Sequence, residues 1–243
     1  MSRWGPYVDN GGKTEEMTKL IFLFRTAVAV AGTGFAIIAA DRRLSTDYNI
    51  LSREVDKLVK LTSKTVLGSC GMQSDRNTLH SILKSRMHDY QINHEKEMST
   101  HAISEILFLK KKNERFEHYP FECIFMSLFF LLSDTFNVLA GIDEKGEGYV
   151  YSYDAIGSFE ANKHGATGSG TELAVPMLDN ILDKQHQSKA DKNEKLTKEK
   201  ALELVQDVLN AVVERDIKTG DGADIYIITP EGCEKKFMPL RKD

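Results

Sequence analysis

FLFRTAVAVAGTGFAIIAADRRLS, residues 22–45, contains two short apolar runs with Gly-Thr-Gly between them, and Asp41 follows the second run. Runs rich in Val, Ile and Ala on either side of a glycine turn are typical of a β-hairpin. The stretch therefore predicts paired strands over residues 26–32 and 35–40. An acid directly after the second strand raises the question of whether the hairpin carries an active site or only the scaffold of one.

Beyond this hairpin, strand-like and helix-like patterns follow one another in blocks. Strands are predicted at 57–71 (a hairpin turning at Thr-Ser-Lys), 135–143, 148–160 and 223–240 (a hairpin turning at Pro230-Glu231-Gly232), and helices at 79–90, from Ser99, at 168–182 and at 196–216. Pairs of helices between antiparallel hairpins favour a layered architecture. The sequence predicts one α+β domain over residues 1–243, a four-layer αββα sandwich with two sheets face to face and a helix pair on each outside.

Composition excludes several classes of function. The net charge of −4 argues against a general nucleic-acid-binding protein, which needs a basic face. The longest apolar run, 123–132, is too short for a helix that spans a bilayer, so we expect a soluble protein with no membrane partner. Cys70, Cys123 and Cys233 are odd in number and lack metal-site spacing, which predicts reduced thiols.

Several motifs occur in the order of one known family. They are GPYVDNGG (5–12), AIIAADRRLS (36–45), NVLAGIDEKGEGYVYSYDAIGSFE (137–160), GATGSGTELAVPMLDN (165–180) and ERDIKTGD (214–221). Together they cover most of the chain, which resembles the proteasome β subunits. The resemblance implies the fold of N-terminal-nucleophile hydrolases and assembly with other α and β subunits in a 28-subunit core particle that degrades proteins. It also implies no cofactor, and a location in the cytoplasm and nucleus.

The resemblance further implies a set of site residues. Active family members expose an N-terminal Thr by self-cleavage after a Gly, and the freed amine serves as the base for the hydroxyl. An Asp and a Lys support this nucleophile, and a backbone N–H stabilises the oxyanion. The family pattern falls on Asp41, Lys57, Gly71 for the oxyanion, Ser169 between Gly168 and Gly170, Asp216, and Thr219 in place of a Ser.

The nucleophile itself is missing from its expected place. The family spacing puts it 16 residues before Asp41, at Arg25, which cannot attack. Thr26 is one residue out of register, and such a slip on a strand turns a side chain to the other face. No Gly precedes Thr26. The pattern therefore predicts a non-catalytic structural β subunit within a threonine-type endopeptidase complex. The alternative is an active threonine endopeptidase that uses Thr26 after N-terminal processing.

Simpler interpretations of the supporting residues remain open. Asp41, beside Arg42 and Arg43, also fits an exposed turn ion pair, worth roughly 0–1 kcal/mol. Lys57 also fits a role limited to pairing with Asp41.

The remaining polar residues also have structural interpretations. Ser169 in its glycine frame fits a helix cap. Asp216 and Thr219 fit a loop that bonds its own backbone after a helix. His94 and His101 lie too far apart for the H-E-x-x-H zinc motif, so the sequence predicts no metal site.

Two stretches depart from the family pattern. In that pattern the N-terminal Asn-Gly-Gly continues almost directly into the first strand, whereas here residues 13–25 intervene within an N-terminal extension, 1–25. Residues of about 111–134 stand where the family pattern has a shorter link between a helix and a strand. Both stretches end in similar Phe- and Leu-rich sequence, LIFLFR and FMSLFFLLSD. We interpret them as insertions or as translated introns of a faulty gene model.

Overall fold

The computed structural model describes residues 26–46, 49–114, 135–154, 158–184 and 196–242. The strands there are β1 Thr26–Gly32, β2 Phe35–Asp41, β3 Leu44–Thr46, β4 Asn49–Ser52, β5 Leu58–Thr62, β6 Thr65–Gly71, β7 Thr135–Ile142, β8 Gly148–Tyr153, β9 Phe159–Asn162, β10 His164–Gly168, β11 Ala223–Thr229 and β12 Gly232–Met238. The helices are α1 Gln73–His94, α2 Thr100–Glu114, α3 Thr171–Leu178 and α4 Lys198–Val213, and a π-helical turn, Asp179–Asp183, continues α3.

Two five-stranded antiparallel sheets form the centre of the structure. Sheet I has the order β10-β1-β2-β11-β12, and sheet II has the order β5-β6-β7-β8-β9. Helices α3 and α4 pack on the outer face of sheet I, and α1 and α2 pack on the outer face of sheet II. The predicted four-layer αββα sandwich is confirmed.

The first hairpin is buried on both faces because β1 and β2 lie in the middle of sheet I. Successive side chains of a strand point to opposite faces. Val28 and Val30 accordingly pack against the helices, whereas Ala27 and Ala29 pack against sheet II. A strand buried on both faces reads as a continuous apolar run, which is the pattern that the sequence shows here.

The structure corrects the predicted strands in two places. The segment 148–160 is not one strand, because β8 ends at Tyr153 and β9 begins at Phe159. The β3–β4 hairpin and β10 were not predicted. β10 has the sequence HGATG, which is poor in the branched and aromatic residues that favour strands. Its pairing with β1 therefore comes from tertiary structure and not from local propensity.

Two helices begin at side-chain caps, and most of the two unusual segments lies outside the described residues. The Thr197 side chain accepts from the Lys200 N–H at 3.4 Å, and the Ser99 side chain accepts from the Ala102 N–H at 3.3 Å, so each caps the start of its helix. Residues 111–114 are the last residues of α2; 13–25 and 115–134 lie outside the described residues.

No helix in the described part of the chain is both long enough and apolar enough to cross a bilayer. Cys70 and Cys233 are free thiols, as predicted, and Cys123 lies outside the described residues.

The packing of α4 on sheet I gives a stability prediction. Leu209 is fully buried in this interface, so Leu209→Ala should lower the free energy of unfolding by about 2–5 kcal/mol. Asn210→Ala, at the exposed next position, should change it by less than about 0.5 kcal/mol. Chemical denaturation of both variants, followed by circular dichroism, measures the difference. Equal effects would contradict this packing.

Candidate functional site

The polar residues that the sequence singles out meet at one end of sheet I. β1 begins there at Thr26, and β2 ends there at Asp41. Thr26 pairs with Gly168 at the end of β10, and the loop that follows α4, residues 214–222, closes over the same end. Side chains that are far apart in the chain therefore meet at these strand ends.

Asp41 and Lys57 form a buried ion pair between the two sheets. Both side chains are fully buried, and the Lys57 ammonium contacts the Asp41 carboxylate. Asp41 ends a strand of sheet I, whereas the Lys57 carbonyl accepts from the N–H of Ser69 in sheet II at 3.1 Å. The pair therefore links the inner layers of the sandwich.

Backbone donors complete the surroundings of the Asp41 carboxylate. The Thr26 N–H donates to Oδ1 at 3.0 Å, and the N–H groups of Arg43 and Gly220 donate to Oδ2 at 3.2 and 3.5 Å. Burial raises the pKa of the Asp41 carboxyl, and the Lys57 ammonium and the backbone donors oppose that shift.

The Thr26 hydroxyl lies in a second group of hydrogen bonds. Its Oγ1 lies 2.7 Å from Thr219 Oγ1 and accepts from the Gly170 N–H at 3.0 Å. Thr219 and Ser169 each donate a hydroxyl proton to Asp216 Oδ2, at 2.6 and 2.5 Å. Because the single Thr219 proton goes to Asp216, the Thr26 hydroxyl must be the donor to Thr219. Thr26 Oγ1 is therefore engaged both as donor and as acceptor.

Thr26 joins these two groups. Its N–H reaches Asp41, and its hydroxyl reaches Thr219, so five of the six predicted supporting residues belong to one connected network. Gly71, the sixth, ends β6 in sheet II and has a φ of 102°, a conformation that favours glycine. The catalytic roles that the family pattern gives these residues stay predictions.

Two of the simpler interpretations are wrong. Ser169 does not cap α3, because Gly170 is the N-cap residue and the Ser169 hydroxyl donates to Asp216. Asp41 is not in an exposed turn ion pair, because it is buried and contacts Lys57.

The two arginines beside Asp41 have other partners. Arg42 pairs with Asp224 at 3.7 Å, and Arg43 pairs with Asp221 at 2.8 Å.

The interpretation of Asp216 and Thr219 as a self-bonded loop is correct but incomplete. Asp216 Oδ1 accepts from the Lys218 N–H at 3.0 Å, and the Asp216 carbonyl accepts from the Thr219 N–H at 3.2 Å. The Thr219 hydroxyl also contacts Thr26, 193 residues away in the chain.

Sequence reasoning missed the residue that holds this loop in place. Arg43 is buried, and its guanidinium donates to Asp221 at 2.8 Å and to the Ile217 carbonyl at 2.9 Å. Gly220 packs closely against this guanidinium. A Cβ at this position would lie 2.5 Å from a terminal nitrogen of Arg43, which is too close. The only signal in the sequence is the position of Arg43 two residues after Asp41.

His94 and His101 pack separately. The His94 ring lies 4.3 Å from that of Tyr90, between centroids, and the His101 ring lies 6.4 Å from that of Tyr151. Each histidine therefore has its own aromatic neighbour.

In the uncut chain Thr26 is not arranged as an N-terminal nucleophile. The residue is fully buried, and both hydrogen-bonding functions of its Oγ1 are engaged. Its nitrogen is a peptide N–H bonded to Asp41, whereas an N-terminal nucleophile needs a free amine as base. What the geometry supports directly is a buried polar network that fixes the ends of β1 and β2 and the loop after α4.

The ion pair gives a prediction about stability. Asp41→Asn should lower the free energy of unfolding by about 3–5 kcal/mol, because it leaves the Lys57 ammonium buried without a counter-charge. Asp89→Asn, the same change at an exposed site on α1, should cost less than about 0.5 kcal/mol. Urea denaturation measures both. Adding Lys57→Met to Asp41→Asn should recover part of the loss, and a double variant no more stable than Asp41→Asn would contradict the pairing.

The Thr26 hydroxyl gives a second prediction. Thr26→Val keeps the shape of the side chain but leaves the Gly170 N–H without its acceptor, so it should cost about 1–3 kcal/mol. Thr78→Val, at an exposed position of α1, is the matched control and should be near neutral. Thermal unfolding compares the two variants. A Thr26→Val protein as stable as the control would show that the hydroxyl contributes nothing.

The comparisons with known proteins agree with one another. The family model described as "Proteasome subunit" matches residues 24–228. A proteasome subunit beta type-1 from Arabidopsis thaliana is 40% identical over 245 aligned residues, which cover 100% of this chain and 98% of that protein. A proteasome subunit beta type-1 from Drosophila melanogaster is 40% identical, with 99% and 91% covered. A probable proteasome subunit beta type-6 from Schizosaccharomyces pombe is 32% identical, with 100% and 99% covered.

Proposed function

Because this chain belongs to the proteasome subunit family, we propose that it is a non-catalytic structural β subunit of the 20S core particle. It assembles with other proteasome subunits and contributes to the ring and chamber in which proteins are degraded. The main support for a non-catalytic role is that the Thr26 hydroxyl is buried and is both a donor and an acceptor of hydrogen bonds.

The names of the relatives support a proposal about the place of the subunit. Several relatives are named proteasome subunit beta type-1, the subunit type that the motifs of this chain resemble. We propose the place of that subunit, the sixth β position, in a particle of 28 subunits located in the cytoplasm and nucleus. Obligate interfaces of such particles bury roughly 2,000 Å² or more, so most of the contribution of this chain is interface area.

One observation favours a second candidate function, that of an active threonine endopeptidase. Asp41, Lys57, Ser169, Asp216 and Thr219 surround Thr26, and the Thr26 nitrogen lies 3.0 Å from the Asp41 carboxylate. If the chain were cut after Arg25, that nitrogen would become an amine beside an ionisable pair. The hydroxyl would still have to leave Thr219 and Gly170 before it could attack.

Intact-mass spectrometry of natively purified particles separates the two functions. The particles are treated with a peptide electrophile that reacts with N-terminal threonine, and each chain is then weighed. We expect this chain to carry no adduct and to retain residues before Thr26, because its hydroxyl is engaged and the register places Arg25 where the nucleophile belongs.

Catalytic subunits in the same sample are the internal control, since their adducts show that the reagent was active. A mass for a chain that begins at Thr26 and carries one adduct would overturn the non-catalytic proposal. The same spectrum tests the hypothesis about 13–25, because a faulty gene model predicts a native chain that lacks that mass.

A further inference from the structure

A histidine and two aspartates converge at the other end of β10, away from the Thr26 network. His164 is the first residue of β10, and Asp179 and Asp183 are the two ends of the π-helical turn after α3. One ligand atom from each residue can be chosen so that all three lie within 4.8 Å of one another. They line a cleft of about 710 Å³ at the side of the sandwich where the chain passes from sheet II to sheet I.

The imidazole is held between the two carboxylates. His164 Nε2 lies 2.8 Å from Asp179 Oδ1, and His164 Nδ1 lies 4.0 Å from Asp183 Oδ1. The imidazole is 11% exposed, whereas the Asp179 side chain is 52% exposed. Nδ1 itself is buried and has no hydrogen-bond partner within the described part of the chain.

The contact with Asp179 decides which nitrogen of the imidazole carries its hydrogen. With its one proton on Nε2, donated to Asp179, it turns a buried lone pair at Nδ1 towards the Asp183 carboxylate. With the proton on Nδ1, the Nε2 lone pair faces an Asp179 oxygen only 2.8 Å away with no hydrogen between them. The 2.8 Å contact therefore favours the proton on Nε2, which leaves the Nδ1 lone pair facing the cleft beside the Asp183 carboxylate, as two donors to one cation would.

The spacing favours a cation over a second proton. A separation of 4.0 Å is too long for an N–H···O hydrogen bond, which spans about 2.7–3.2 Å. A metal ion with ligand bonds of about 2.0–2.2 Å holds two ligand atoms roughly 3.4 Å apart at a tetrahedral angle, and about 4 Å apart at a wider one. Imidazole nitrogen with carboxylate oxygen is a ligand set that suits first-row transition ions.

The ligands lie on well-supported elements. His164 is opposite Val30 in the β10–β1 pairing, so its backbone is fixed by sheet I. Asp179 and Asp183 are bracketed by the buried Leu178 and by Lys184, whose N–H donates to the Asp179 carbonyl at 3.2 Å. The open cleft leaves room for the waters that complete the coordination of an ion held by His164 and Asp183.

We propose that His164 Nδ1 and the Asp183 carboxylate bind a divalent first-row transition ion such as Zn²⁺, and that Asp179 orients the imidazole by accepting its Nε2–H. The sequence predicts no metal here, because the His and Asp residues are 15 and 19 positions apart and follow no metal motif. Such an ion would cross-link the edge strand of sheet I to the turn after α3. The inference does not depend on whether Thr26 is catalytic.

The test uses assembled particles that contain the full chain, stripped of metal with a chelator and then equilibrated with Zn²⁺ alone. Anomalous diffraction at the zinc edge should show a peak between His164 Nδ1 and the Asp183 carboxylate, about 2.0–2.2 Å from each ligand atom. No peak at this position in the zinc-equilibrated particles would overturn the proposal.

Two variants test whether Zn²⁺ binds this site specifically. Asp183→Asn is isosteric and changes a partly exposed side chain, so the particle should still assemble, and Zn²⁺ should bind this site at least about tenfold more weakly. Glu160→Gln removes one negative charge from exposed β9 without touching the ligands, and its zinc binding should match that of the unmodified particle. Equal weakening in both variants would show a nonspecific charge effect and contradict the site.

Discussion

The buried Asp41 carboxylate is the constraint on which the end of the sandwich depends. The Lys57 ammonium pairs with it from the side of sheet II, and the backbone N–H groups of Thr26, Arg43 and Gly220 donate hydrogen bonds to it. A buried pair of this kind contributes little net stability, but losing one partner costs about 3–5 kcal/mol. The structural role of Asp41 and Lys57 therefore accounts for their presence, which is not by itself evidence of activity.

Strand register separates a supporting role from a catalytic one. Side chains alternate along β1, so Thr26 shares the helix-facing side of Val28 and Val30. On that side it meets the Gly170 N–H and the Thr219 hydroxyl, which engage its oxygen. A threonine at the preceding position would point to the opposite side. The register of β1 therefore gives the Thr26 hydroxyl the role of a structural donor and acceptor.

The sequence predicted the parts of the fold that have strong periodicity, and it singled out five polar residues that the structure brings into one network. The β1–β2 hairpin, the β5–β6 hairpin and α4 are examples, because their apolar patterns match their burial. β10 and the Arg43–Asp221 pair were missed for a different reason. β10 is a strand only because β1 lies beside it, and Arg43 and Asp221 are 178 residues apart, so neither has a local signal.

The same strand that sequence reasoning missed supports both groups of polar residues. Gly168, at one end of β10, lies opposite Thr26, and His164, at the other end, lies opposite Val30. Four residues of extended chain separate these ends by about 13 Å. β10 is held on one side by β1 and is the edge of sheet I on the other, so a link from His164 to the turn after α3 stiffens an otherwise half-supported strand. The His164 cluster thus has a structural consequence at the Thr26 end, because the position of Gly168, and with it Ser169 and Gly170, depends on how firmly β10 is held.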